Sequence, residues 1–360
     1  MKLLSLILGG SIIMGFSFVL PYVSQVNAVK SIQKIDEGVY FLDFEGNYCF
    51  DEYIAKGGGK SNDEMSAFIT DKLKKGKWTS PKKKSGSTVN ITMKTFGCAS
   101  IAARNSGECG GMIFGRNYDW KTCAVLVVHT KPDNGYESVS TCCLEHLGIN
   151  ADWEPTHKFP ADAAALAAIY VPMDGMNEKG VYIADLIAGK DETTAQNRGN
   201  ASVTTTAAIR LVLDHAASVD EALELLDKYD MYSVIGYAHH FAIADNTGKS
   251  VAVEWVDNKM YVTESPVLTN HYITDSPKKD TANPETENSH LRFNTLQATG
   301  EKSGWKLTGD ETRDALRSVR AGQFGWENEL SVWSAVFEPQ ARKVTYYFRE
   351  KYDNPVTITF

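Results

Sequence analysis

Short apolar strands in this chain come in pairs joined by tight turns, while its amphipathic helical stretches sit in separate blocks. That segregation limits the fold more than any other feature. Cys98 to Ala103 and Met112 to Phe114 read as strands around a Gly-containing turn, and Ala124 to Thr130 as the next strand. Phe241 to Ala244 and Ser250 to Trp255 flank Asp245-Asn246-Thr247-Gly248, the signature of a hairpin turn. Ser331 to Phe337 and Lys343 to Phe348 form a last pair around a Pro-containing turn. Ala207 to His215 and Val219 to Tyr229 have helical spacing, with Val219, Ala222, Leu223 and Leu226 on one face, and Thr312 to Ala321 reads as a later helix. Hairpins with helices in separate blocks predict an α+β fold rather than a doubly wound one. The chain shows no internal repeat.

Composition narrows the class. The chain has 360 residues, 43% of them apolar, enough to bury a large core, and 45 acidic against 37 basic residues give a net charge of −8. That balance argues against a nucleic-acid partner, which a basic face normally serves. Six cysteines are too few for a disulfide scaffold of this size, and sequence fixes no pairing for Cys49, Cys109, Cys123, Cys142 and Cys143.

Met1-Lys2, the apolar run Leu3 to Val19, Pro21 and the small-residue end Val26-Asn27-Ala28 predict a secretory signal over residues 1–28, cut after Ala28. The protein is therefore expected to be secreted or extracytoplasmic. Membrane contact follows only if that segment stays uncut, because no later stretch reaches ~20 consecutive apolar residues. Residues 29–97 differ in texture from the rest. Val39 to Phe44 reads as a short strand and Glu64 to Leu73 as a short helix, and seven lysines lie between Lys72 and Lys84 among Gly, Pro and Ser. Such a run reads as an exposed, protease-accessible loop.

The chemistry concentrates around Cys98. It opens an apolar strand, and the return strand ends in Phe114-Gly115-Arg116-Asn117-Tyr118-Asp119-Trp120. A hairpin brings its far end back to the level of its start, so Arg116 and Asp119 can lie beside Cys98. An arginine there favours a thiolate, and an aspartate can accept a hydrogen bond from an amine. The residues alone leave a structural thiol and a nucleophile both open, since free cysteine commonly packs as a small hydrophobe.

From about Cys98 onward the sequence resembles the N-terminal-nucleophile cysteine hydrolases of linear amides: choloylglycine (bile salt) hydrolase, penicillin V acylase and the acid ceramidase group. The resemblance rests on Cys98 followed about eighteen residues later by Gly115-Arg116-Asn117-Tyr118-Asp119, on Asp174-Gly175-Met176-Asn177-Glu178-Lys179-Gly180, and on Leu268-Thr269-Asn270. Leu316-Arg317-Ser318-Val319-Arg320 and Val332-Trp333-Ser334-Ala335-Val336 also fit. It implies a four-layer αββα sandwich over residues 98–360, with 29–97 as a propeptide removed by self-cleavage between Gly97 and Cys98. The freed α-amino group, whose reference pKa is about 8, would then act as general base for its own thiol. Cys98 would attack the amide carbonyl, Asp119 orient the amine, Arg116 hold the local charge, Asn270 donate to the oxyanion and Arg317 supply a second arginine. The Asn270-to-Arg317 separation is closer to the bile salt and penicillin branch than to the ceramidase branch.

One departure stands out. Bile salt hydrolases carry an oxyanion-assisting Asn a few residues beyond the Asn-Glu-Lys-Gly motif, and Ile187 occupies that place here. Asn177 and Glu178 read as turn-stabilising. His239-His240 is a doublet beside a strand with no zinc-type spacing, and neither metal nor organic cofactor is implied. Trp120, Trp153, Tyr170, Tyr182 and Phe241 are candidates for an acyl pocket or for plain core. The expected partner is a small-molecule amide with an apolar acyl group, and nothing excludes a homo-oligomer. Transfer of the same thioester to an amine, or a non-enzymatic exported binding domain with structural cysteines, are the alternatives.

Overall fold

The structure, a computed structural model, describes residues 23–72, 97–159, 161–189, 193–280, 286–324 and 330–360. Two sheets face each other. The larger has nine strands in the order Gln33–Asp36, Val39–Glu45, Val125–Lys131, Ser138–Cys143, Asp174–Asn177, Tyr182–Gly189, Ala238–Ala244, Ser250–Val256, Lys259–Glu264. Neighbours are antiparallel except Val39–Glu45, which runs parallel to Val125–Lys131. The smaller sheet runs Val267–Leu268, Cys98–Asn105, Met112–Trp120, Leu330–Glu338, Lys343–Phe348, Val356–Thr359, with Lys306–Leu307 also pairing to Cys98–Asn105.

Each sheet has a helical layer on its outer face. Thr205–His215 packs on the larger sheet and carries Val219–Asp227 beside it, while Glu287–Ser303 and Gly309–Ser318 pack on the smaller. Strand alternation makes this possible. Cys98 and Ala102 face the core between the sheets, whereas Ala99, Ile101 and Ala103 face the core beneath Gly309–Ser318. Gly115 belongs to the second contact: a Cβ there would lie 2.9 Å from Ile101 Cγ2 and 3.0 Å from Thr312 Cγ2. The sheets are tied across their interface by Ser100 Oγ to Tyr182 Oη at 2.9 Å and by Trp333 Nε1 donating to Asp174 at 2.8 Å.

The hairpins and helices expected from sequence form, with the helix from Val219 ending at Asp227 rather than Tyr229 and the last helix at Ser318 rather than Ala321, while Leu73 lies outside the described residues. The two histidines differ from expectation: both lie within Ala238–Ala244, not beside it. The described part of 29–97 is woven into the fold, because Val39–Glu45 lies in the larger sheet between Gln33–Asp36 and Val125–Lys131, with Tyr40, Leu42 and Phe44 buried. Residues 23–31 are helical, and the cut expected after Ala28 falls inside that helix, whose Gln25, Ala28 and Val29 are buried. The whole apolar run, and the lysine-rich stretch beyond Lys72, lie outside the described residues. Among the described residues no helix is long and apolar enough to cross a membrane. All six cysteines are free thiols, with Cys123, Cys142 and Cys143 buried.

Candidate active site

Cys98 is the first residue of its strand and pairs directly with Tyr118, with Ser100 opposite Arg116. The hairpin thus places Arg116 on the face of the sheet that carries the thiol, as the sequence spacing implied. Its Nη2 donates to the Asp185 carbonyl at 2.6 Å and its Nε lies 3.5 Å from Asp174, with both side chains fully buried. Burial pushes the Cys98 thiol above its ordinary range, the Arg116 guanidinium pulls it back, and Asp119 pushes it up again, leaving it raised. A thiol so placed needs a base to become a nucleophile.

The backbone of Cys98 is gripped from two sides. Its N–H donates to Asn270 Oδ1 at 2.6 Å, and its carbonyl accepts from Arg292 Nη1 at 2.6 Å. Arg292 Nη2 also donates to Asn270 Oδ1 at 3.0 Å. With two donors on that oxygen, the Asn270 amide nitrogen faces the other way and donates to the Ile187 carbonyl at 2.8 Å, which leaves its second N–H for another acceptor. The loop bearing Asn270 is itself pinned. His240 bonds the Thr269 carbonyl at 2.7 Å and Glu254 Oε1 at 3.1 Å, and Glu254 accepts from the Ile273 and Thr274 amides.

Asp119 sits on the other flank. Its backbone N–H donates to the Gly97 carbonyl at 3.0 Å, polarising the bond that precedes Cys98. Its Oδ1 accepts from Ser331 Oγ at 2.6 Å, while Oδ2 is buried without a partner. Burial raises Asp119 to about 6 despite the opposing pull of Arg292, the Ser331 hydroxyl and Arg116. Asp119 lines the same cavity as Cys98, and an unpartnered buried carboxylate oxygen on it is suited to an amine that gains hydrogens when the peptide bond is cut.

Cys98 opens onto a cavity of about 550 Å³, including its mouth, walled by Tyr118, Trp120, Met173, Leu186, Ile187 and Ile235 among others. Trp120 is the one aromatic of the proposed pocket set found on this wall; Tyr170, Tyr182 and Phe241 are buried core, and Trp153 packs edge-on against Tyr40. Ile187 sits with Trp120, Ile235 and Tyr237 and makes this wall apolar where an Asn was expected. Asn177 bonds the Lys179 and Val181 amides and the Leu213 and Ala216 carbonyls, a turn-stabilising role. Among the described residues no group of three or more His, Cys, Asp or Glu converges as a metal site.

The structure does not bring Arg317 to the site. It lies on the exposed face of Gly309–Ser318, with its guanidinium over the Tyr352 ring at 5.6 Å. The helix turns Thr312, Ala315 and Leu316 inward, and position 317 falls outside that stripe. The second arginine is Arg292, on the preceding helix and fully buried. Arg292 follows Asn270 much more closely in the chain than Arg317 does, so the Asn270-to-Arg317 separation does not set the spacing of this site.

Two facing sheets with helices outside each, and a buried cysteine heading a central strand, define the N-terminal-nucleophile hydrolase architecture. A mutant of conjugated bile acid hydrolase from Clostridium perfringens, with alanine in place of a cysteine, superposes with a TM-score of 0.54 at 17% identity, covering 73% of this chain and 92% of that one. A second variant of the same enzyme, with leucine in place of an arginine, gives 0.52 with the same identity and coverage. A penicillin V acylase from Agrobacterium tumefaciens matches at 0.40 and 17% identity, covering 70% of this chain and 83% of its own. No curated protein matches in sequence. Residues 104–353 match the model of the acyl-coenzyme A:6-aminopenicillanic acid acyl-transferase family, and the chain belongs to that family. With that membership it is an enzyme of linear amide carbon–nitrogen bonds, as its motifs implied.

Proposed function

We propose that the protein is an exported, self-cleaving cysteine amidase acting on a linear amide between an apolar acyl group and an amino acid or small amine. The observation that carries this is the grip on Cys98: Asn270 and Arg292 fix its nitrogen and carbonyl while its thiol opens onto a largely apolar cavity.

Self-cleavage begins with the Cys98 thiol adding to the Gly97 carbonyl, whose oxygen already accepts from Asp119 N–H. Collapse breaks the Gly97–Cys98 bond, leaving a thioester and a free α-amine; water then releases the Gly97 carboxylate and the thiol. In the cut enzyme the amine takes the thiol proton and Asp119 Oδ2 holds it in place. The thiolate adds to the substrate carbonyl, the remaining Asn270 N–H stabilises the oxyanion, and the departing amine receives the proton. Water attacks the resulting thioester, gives its proton to the α-amine, and frees the acid. Because Val39–Glu45 is a strand of the larger sheet, the N-terminal piece stays bound after the cut.

The test is an acyl-amide panel with the purified chain and its Cys98→Ala variant. Hydrolysis by the first and none by the second supports the proposal; an intact chain with no turnover of any member would overturn it. A second reading, transfer of the acyl group to an amine, is favoured by the name of the matched family. Partition of product between free acid and new amide, with added amines, separates the two.

A further inference from the structure

The cavity beside Cys98 is apolar on most of its wall, yet one part of it is built around a buried charge. His239 and Asp185 both line it, with side chains 6% and 5% exposed. His239 Nδ1 lies 2.9 Å from each Asp185 oxygen, so it carries the proton and donates to the carboxylate. The other ring nitrogen, Nε2, is buried with no partner. A neutral ring in that tautomer presents Nε2 as a bare acceptor. The strand is shaped for this: a register irregularity between Ala238 and His239 sets His239 opposite Ile187, and bulges near active sites re-aim side chains in this way. The His239 amide is held by Thr194 Oγ1 at 2.9 Å.

The neighbouring polar groups on the wall are occupied. Tyr118 Oη bonds His146 Nε2 at 2.8 Å, and Trp120 Nε1 donates to Glu145 at 3.1 Å. Besides Asp119 Oδ2, already placed beside the nucleophile's strand, Thr205 Oγ1 is a further exception, buried on a residue of the same wall without a partner. A bare acceptor and a hydroxyl on two residues that line one apolar cavity call for a ligand group that both donates and accepts.

The geometry points to an acyl group bearing a hydroxyl, which donates to His239 Nε2 as the polar anchor of an otherwise apolar pocket. This deepens the amidase reading and rests on it for turnover, but not for binding. Asp185 is the positioning residue, holding the ring in the accepting tautomer; it is joined to the nucleophile through Arg116, which donates to its carbonyl.

The experiment uses N-decanoyl-glycine and a series in which one hydroxyl is moved carbon by carbon along the acyl chain. The wild-type chain is expected to favour at least one hydroxylated member in kcat/KM by roughly tenfold to a hundredfold, because a buried acceptor is otherwise left unpaired. The Asp185→Leu/His239→Leu pair, which leaves no lone buried charge, should erase that preference, and Thr205→Val should reduce it. Binding of the matching free acids to the Cys98→Ala variant gives a readout independent of catalysis. A hydroxyl preference in binding with no turnover by wild type upholds the pocket and sinks the amidase reading. Equal handling of every member, or a preference that survives in the double variant, overturns the assignment of His239.

Discussion

Arg292→Met removes the guanidinium that binds both the Cys98 carbonyl and Asn270 Oδ1, while keeping an unbranched side chain of similar reach. Both hydrogen bonds run from a charged donor to a buried oxygen, a kind worth about 1.5–3 kcal/mol each, so their joint loss costs at least ~3 kcal/mol. If that falls on the geometry from which Cys98 reacts, at about 1.4 kcal/mol per factor of ten, self-cleavage slows roughly a hundredfold or more. A second effect follows from charge. After burial itself, Arg292 is the strongest influence on Asp119, and it favours the carboxylate. Without it Asp119 rises above its value of about 6, so the acid limb of the hydrolysis profile moves to higher pH in whatever fraction is cut. Arg317→Met is the control: Arg317 is exposed, and its contact with Tyr352 is worth about 1 kcal/mol or less. The assay follows the intact chain and its fragments by denaturing electrophoresis over time, with urea melts to confirm folding and a pH profile of amide hydrolysis. A folded Arg292→Met chain that cuts itself at the wild-type rate refutes the reasoning, as does an Arg317→Met chain that fails to cut.

Three further outcomes are expected. Ser331→Ala removes the hydroxyl that favours the Asp119 carboxylate; the raised group is then protonated at still higher pH, so the acid limb shifts upward while activity on the alkaline side is kept, as a pH profile of kcat/KM will report. Asn270→Ala leaves the Cys98 nitrogen without its acceptor and removes the oxyanion donor, which should lower turnover roughly a hundredfold or more with the melting transition largely retained; unchanged turnover removes Asn270 from that role. Gly115→Ala drives a methyl against Ile101 and Thr312 and should cost about 1–3 kcal/mol in chemical denaturation without altering pH dependence, and a neutral result means that Gly309–Ser318 can shift outward.

What the sequence made legible was local. The Asn246-Thr247-Gly248 turn announced its hairpin, the spacing of Val219, Ala222 and Leu226 announced a helix face, and Cys98 with Gly115-Arg116 announced a strand pair that brings thiol and guanidinium together. The rest depends on partners distant in the chain. Arg292 stands between the exposed Leu291 and a half-buried Phe293, so nothing in its neighbourhood marks it as buried; only the docking of its helix beside the Cys98 strand does. Only the resemblance of Leu316-Arg317-Ser318-Val319-Arg320 to the family's motif singles out Arg317, and helical phase turns it outward. The parallel pairing of Val39–Glu45 with Val125–Lys131 has no turn to signal it, which is why residues 29–97 looked separable. Asp185 and His239 meet only because their strands are neighbours in the larger sheet.

The most direct measurement is the mass and N-terminal sequence of the purified native protein. The account predicts two chains that migrate together under native conditions and separate in denaturant, the longer one beginning with Cys98, and a single uncut chain in the Cys98→Ala variant. Active wild-type material in which Gly97 is still joined to Cys98 would contradict it.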